Sequence, residues 1–193
     1  INRSAIKVST QGTLRPTLVI GMGETGWKTL EKVRSKLIRR YGEVSVWPVM
    51  RLLGIDVESA SARLDTAGMS RELMDQLLLC KFRKPNQYFQ GWDDLKHLSS
   101  WLDPNMLFQI SSSGGTNGQR ALGRLAFFEN HRRILARLRS ELEELLDSNR
   151  IHSQLAATGK LLRTEEPRVV VVGSMSGGVG SGMFIDLCYM IRR

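Results

Sequence analysis

Val169-Val170-Val171-Val172-Gly173-Ser174-Met175-Ser176-Gly177-Gly178-Val179-Gly180-Ser181-Gly182 is the stretch from which the rest of the 193-residue chain is read. Four consecutive valines without period-2 alternation describe a strand buried on both faces, as in a parallel sheet between helices. Five glycines fall within the ten residues Gly173 to Gly182. Beyond them Phe184, Leu187, Cys188 and Ile191 recur at helical spacing, so a helix is expected from Met183 to Arg192. A strand, a glycine-rich loop and a helix N-terminus together make an anion site. The glycines let backbone N–H groups converge, and the helix end adds partial positive charge. Phosphate is the expected anion.

The segment Ser176-Gly177-Gly178-Val179-Gly180-Ser181-Gly182 resembles the signature of the tubulin/FtsZ superfamily, the loop that wraps the phosphates of GTP. Val179 stands where that family has threonine. A valine cannot donate the hydroxyl hydrogen bond, worth about 1.5–3 kcal/mol to a charged acceptor, so phosphate binding is expected to be weakened rather than lost. A P-loop would need a lysine where Val179 follows Gly178. The loop of partition-type ATPases would need lysines where Ser176 and Ser181 stand.

Towards the front, Thr17-Leu18-Val19-Ile20 reads as a short buried strand, and Gly21-Met22-Gly23-Glu24-Thr25-Gly26 follows at its carboxyl end. A helix is expected from about Trp27 to Tyr41, with Leu30, Val33, Leu37 and Ile38 on one face. Strand, G-x-G-x-x-G turn and helix also make a phosphate-binding arrangement. A dinucleotide fold wants an acidic residue about 20 positions further on. Here the second strand, Met50 to Ile55, ends in Asp56, 35 positions beyond Gly21. Ile55-Asp56-Val57-Glu58-Ser59 instead resembles the Asp-Leu-Glu-Pro loop of tubulin, which lies beside the phosphates and magnesium. Asp56 and Glu58 carry the hard oxygen ligands that Mg²⁺ takes, usually through water. The plainer reading has Asp56 capping a turn and Glu58 facing solvent.

Further along, helices are expected over Ser70–Phe82 and Asp93–Leu102, with a loop at Arg83–Gly91 and an aromatic group, Tyr88, Phe89, Trp92 and Trp101, packed in a core. Met106 to Ile110 reads as a third strand, followed by the small-residue loop Ser111 to Gly118. The family has a glycine- and asparagine-rich loop there, near the γ-phosphate, and the resemblance carries Gly114, Gly115 and Asn117 over to it. Leucines at helical spacing from Gln119 to about Asp147 predict a long helix laid on the sheet. Its alternating charges, Arg132, Arg133, Arg137 and Arg139 with Glu129, Glu141, Glu143 and Glu144, read as a solvated face. Ile151 to Leu162 is helix-like and interrupted by Gly159.

The composition, 41% hydrophobic with a net charge of +9, suits a folded domain that tolerates a polyanionic partner. No apolar run approaches the ~20 residues of a membrane span. Cys80 and Cys188 read as free thiols in a reducing, cytoplasmic setting, and the isolated His97, His131 and His152 do not suggest zinc.

The expected fold is therefore α/β, a three-layer Rossmann-like domain over residues 16–193 behind an arm at 1–15. Its mostly parallel sheet has order 3-2-1-4, with ligand loops at the strands' carboxyl ends. The resemblance implies the front part of a tubulin/FtsZ-type domain that binds GTP or GDP with Mg²⁺ and assembles head to tail with copies of itself. Hydrolysis would be completed between subunits. The expected ligand residues are Gly21 to Gly26, Asp56, Glu58, Gly114, Gly115, Asn117, and Gly177, Gly178, Val179, Gly180, Ser181 and Gly182. A Rossmann-type dinucleotide protein, or a basic module binding nucleic acid weakly and without sequence preference, are the competing readings.

Overall fold

The computed structural model describes residues 13–42, 49–58, 75–90, 96–112 and 114–192. Strands β1 (Thr13–Leu14), β2 (Thr17–Met22), β3 (Met50–Asp56), β4 (Leu77–Leu79), β5 (Leu161–Leu162) and β6 (Arg168–Gly173) are joined by helices. The helices are α1 (Gly23–Tyr41), α2 (Pro85–Gln90), α3 (Lys96–Ser99), α4 (Arg120–Leu145), α5 (Ser148–Thr158) and α6 (Gly178–Arg192). The main sheet has the order β4-β3-β2-β6 and is parallel throughout.

Alternation along the strands builds the three layers. Val19, Leu52, Val170 and Val172 pack with Trp27 and Leu30 of α1 on one face. Leu18, Ile20, Met22, Leu53 and Ile55 pack on the other against Ala126, Phe127, Ile134 and Leu138 of α4 and Val179, Met183 and Leu187 of α6. The α4 helix lies on the sheet, as its leucine spacing requires. The valines of β6 are covered on both faces yet only half-buried, because β6 is an edge strand among the described residues.

Several expected elements are corrected. Met106 to Ile110 is not a strand: Asp103 caps the 3-10 helix Pro104–Gln109 by accepting from the Asn105 N–H at 2.9 Å, and Pro104 pre-sets its first φ. The sheet's third place belongs to β4, inside the stretch read as the helix Ser70–Phe82; residues 70–74 lie outside the described ones. The loop expected at Arg83–Gly91 contains α2, with Tyr88 buried against Leu98, Leu102 and Leu122. Of the helix expected at Asp93–Leu102, residues 96–99 are helical and 93–95 lie outside the described residues. Trp92 also lies outside them, as does most of the expected arm. Thr13 and Leu14 pair in parallel with Leu161 and Leu162.

The charges of α4 are not all solvated. Glu141 is 2% exposed and holds Arg51 of β3 and Arg137, the latter at 2.7 Å. Glu129, 7% exposed at its side chain, binds Arg83 at 2.5 Å and accepts from the Tyr88 hydroxyl. Arg133 and Arg137 donate to the carbonyls of Leu79 and Asp75, tying the β4 segment to the helix.

Candidate functional site

The β2 strand passes into α1 without a connecting residue. Gly23, with φ +64°, makes the corner, so the helix begins four residues before the expected Trp27. Its N-cap, Met22, makes no side-chain cap hydrogen bond to the first turn. Behind the corner, Gly21 and Gly26 let strand and helix touch: a Cβ on Gly26 would stand 2.5 Å from the Gly21 carbonyl carbon.

At the other glycine segment, α6 begins at Gly178 rather than Met183, so the connection after β6 is Ser174 to Gly177. The Ser181 N–H donates to the Gly177 carbonyl at 3.0 Å as the first helical bond. The N–H groups of Gly178, Val179 and Gly180 precede it and have no partner within the helix. None of these glycines has positive φ; Gly178, Gly180 and Gly182 are required by space, whereas a Cβ on Gly177 would make only ordinary contacts. A Cβ on Gly180 would collide with the Ser174 carbonyl oxygen, and one on Gly178 with Thr116 Oγ1. A Cβ on Gly182 would stand 2.5 Å from the Arg120 carbonyl oxygen, where α6 crosses α4 backbone to backbone.

These segments meet around a cleft of about 440 Å³ at the carboxyl ends of β2, β3 and β6. Met22 to Thr25, Asp56 to Glu58, Thr116 to Gly118, Ser174 and Ser176 to Gly180 line it. The α4 helix starts at Arg120, two residues beyond the lining residue Gly118, and the first residues of α1 and α6 lie in the lining itself. Their dipoles favour an anion.

Of the expected ligand residues, Met22, Gly23, Glu24, Thr25, Asp56, Glu58, Asn117, Gly177, Gly178, Val179 and Gly180 line the cleft. Gly21, Gly26, Gly114, Gly115, Ser181 and Gly182 do not. Gly114, with φ +84°, and Gly115 shape the third loop, and the Ser181 hydroxyl donates to the Gly177 carbonyl at 2.6 Å. Glu24 forms an exposed pair with Lys28 at 2.6 Å. Arg124, facing Asp186 and stacked over Trp101, is engaged away from the cleft. Thr116, Gly118, Ser174 and Ser176 were not singled out from the sequence. They sit within the same small-residue runs, and only their packing distinguishes them.

Asp56 is 3% exposed, and its Oδ1 accepts the N–H groups of Val57 at 2.7 Å and Glu58 at 3.4 Å, so it holds the turn. Glu58 is half-buried beside Gly115, whose Cβ would stand 2.9 Å from Glu58 Cδ. This corrects the solvent-facing alternative for Glu58. Among the described residues no group of three metal-ligating side chains occurs. Two carboxylates beside an anion cradle nevertheless suit Mg²⁺, which ordinarily takes one or two carboxylates and completes its shell with phosphate oxygens and water. Next to Asp56, burial pushes the Cys80 thiol up to about 12; Asp56 adds to the shift and Arg133 opposes it. Cys80 is thus an inert core thiol.

A larger groove, about 840 Å³, lies at the amino ends of β2 and β6 between α4 and α6. It is lined by apolar side chains such as Leu18, Phe127, Leu138, Val169 and Ile191, and none of the strands' carboxyl ends reaches it.

A parallel sheet with helices on both faces, two of them starting in glycine-rich turns at the strands' carboxyl ends, is a Rossmann-like α/β domain. A family model described as "Tubulin like" matches residues 18–193, and the chain belongs to this tubulin-like family. Comparison with curated proteins and with solved structures gives no match. No helix among the described residues is long and apolar enough to cross a membrane.

Proposed function

We propose that the protein binds GTP and GDP, seating the phosphates in the cleft between the first turns of α1 and α6. The convergence of the glycine-rich first turns of α1 and α6 on one 440 Å³ space, beside Asp56 and Glu58, carries this reading. Backbone N–H groups of Gly23 to Thr25 and Gly178 to Gly180 bind phosphate oxygens. Asp56 and Glu58 hold Mg²⁺ through water, and the cation offsets the negative charge of the phosphates. Membership of the tubulin-like family supports guanine nucleotide and head-to-tail assembly with further copies. In that arrangement hydrolysis is completed by an acidic loop from the neighbouring subunit.

The dinucleotide alternative loses support because the acidic residue that ends β3, Asp56, stands 35 positions beyond Gly21 rather than about 20. Calorimetric titration of the chain with GTP, GDP, ATP and NAD⁺, with and without Mg²⁺, tests the reading. GTP should bind tightest and gain affinity from Mg²⁺. Magnesium-independent binding of NAD⁺ in preference to GTP would replace it. Duplex DNA should bind weakly at about 50 mM salt and be lost by about 200 mM. Sedimentation with GTP–Mg²⁺ reads out assembly separately.

A further inference from the structure

The α1 helix turns one face to the sheet and a row of cations outward. Trp27 and Leu30 pack with Val19 and Leu52, whereas Lys28, Lys32, Lys36, Arg39 and Arg40 are exposed. At about 3.6 residues per turn, Lys28, Lys32, Lys36 and Arg39 fall within about a quarter of the circumference, in a row about 17 Å long. Lys28 is paired with Glu24 at 2.6 Å, but Lys32, Lys36 and Arg39 have no acidic partner among the described residues. The patch continues past the helix end, where Arg40 and Lys160 both stand over the Tyr41 ring, 5.4 and 5.9 Å from its centroid. Arg39 and Arg40 complement the negative end of the helix. Lys32 and Lys36 lie before the last turn, so the dipole does not account for them.

We propose that this face of α1 binds the phosphate backbone of duplex nucleic acid without reading its sequence. It stands apart from the nucleotide cleft, whose lining includes none of these cations. A row of about 17 Å spans about five base pairs at ~3.4 Å each, so each strand presents about five phosphates along it. The cations of the row match that linear density. Lysine meets phosphate as a point charge, and such contacts position a duplex without distinguishing its bases. A membrane-surface helix would bury its apolar face in the lipid boundary. Here that face, with Leu30, Val33 and Leu37, is covered by the sheet, and Ile38, 38% exposed, is left with little to insert. Contact with three or four phosphates gives a log–log dependence of affinity on salt with a slope of about −3.

The test measures binding of the full chain to two short DNA duplexes of unrelated sequence by fluorescence anisotropy, across a salt series beginning at about 25 mM. Both duplexes should bind within about threefold of each other, with a slope of about −3. Lys32→Gln combined with Lys36→Gln should bring the slope to about −1 and weaken binding at about 50 mM salt by about tenfold or more. Arg132→Gln combined with Arg139→Gln removes the same charge from exposed positions of α4 and should stay within about threefold of the parent. Acetylation footprinting needs no substitution: the duplex should shield Lys32 and Lys36 and leave the exposed Lys81 and Lys84 reactive. Equal losses in the two double variants, or shielding of Lys81 and Lys84 instead, would put the contact elsewhere and overturn the proposal. Vesicles with about 30% phosphatidylserine that bind the parent but not the α1 variant, while DNA binds both, would assign the face to a membrane and overturn it too. Absence of DNA binding at about 50 mM salt also overturns it, and GTP titration still decides the cleft separately.

Discussion

Val179 packs directly against Gly23: a Cβ on Gly23 would stand 3.2 Å from Val179 Cβ and 3.9 Å from the Gly180 nitrogen. The two glycine segments, more than 150 positions apart in the chain, thus touch through a side chain and a bare Cα. Gly23 also has φ +64°, which an L-residue adopts at a cost of about 1–2 kcal/mol. Gly23→Ala should therefore lower stability by about that amount and loosen both walls of the cleft. Urea denaturation alongside GTP titration checks the pair of effects.

At position 179 the sequence alone suggests that restoring threonine would tighten nucleotide. Burial of the Val179 side chain in the core changes that expectation. Val179→Thr should cost about 1–3 kcal/mol of stability for a buried hydroxyl and leave GTP affinity within about twofold. Tighter binding without destabilisation would mean that the side chain faces the phosphates.

Gly180 and Ser181 separate space from hydrogen bonding. Gly180→Ala drives a Cβ into the Ser174 carbonyl, displacing the connection after β6, and should reduce GTP affinity by about tenfold or more at about 1–3 kcal/mol in stability. Ser181→Ala removes a bond to the Gly177 carbonyl, costs about 1 kcal/mol and should spare binding. Equal binding losses for the two variants would contradict this division.

The glycine corners were more legible in the sequence than the sheet was. Glycines at strand ends are legible because a corner such as Gly23 and a backbone contact such as Gly26 on Gly21 tolerate little else. Leu77, Leu78 and Leu79 read as helix because leucine favours it and Leu73 stands four positions earlier. The chain instead pairs them with Gly54 to Asp56, a non-local contact that outweighs local preference. Met106 to Ile110 failed in the opposite sense, since Asp103 and Pro104 start a helical turn that an apolar run disguises. Thr116 was passed over between Gly115 and Asn117, because a lone threonine in a small-residue loop carries no periodicity.

The buried pairings of α4 make a stability prediction independent of any ligand. Glu141→Ala removes the carboxylate of Arg137 and one of the two that hold Arg51, Glu144 being the other, and should cost about 1.5–3 kcal/mol. Glu143→Ala, on the exposed side, should stay within about 0.5 kcal/mol. Equal effects in urea denaturation would mean that Glu141 is solvated after all.

The thiols differ in the same physical way. Cys80 is fully buried and Cys188 half-buried, so alkylation at pH 8 followed by mass spectrometry should label Cys188 first. Folding holds Cys80 as the neutral thiol, raising it from 9.0 to about 12. That contribution is complete below about pH 9 and is lost as pH rises towards 12. Earlier labelling of Cys80 would contradict the packing of β4 against α4.

The most direct measurement of the central claim is an amide NMR map of the isotope-labelled chain titrated with GTP–Mg²⁺. The largest shifts should fall on Gly23 to Thr25, Thr116 to Gly118 and Gly177 to Gly180, the residues whose backbone surrounds the cleft. Shifts concentrated instead on Phe127, Leu138 and Ile191 in the apolar groove, or none at saturating GTP, would contradict it.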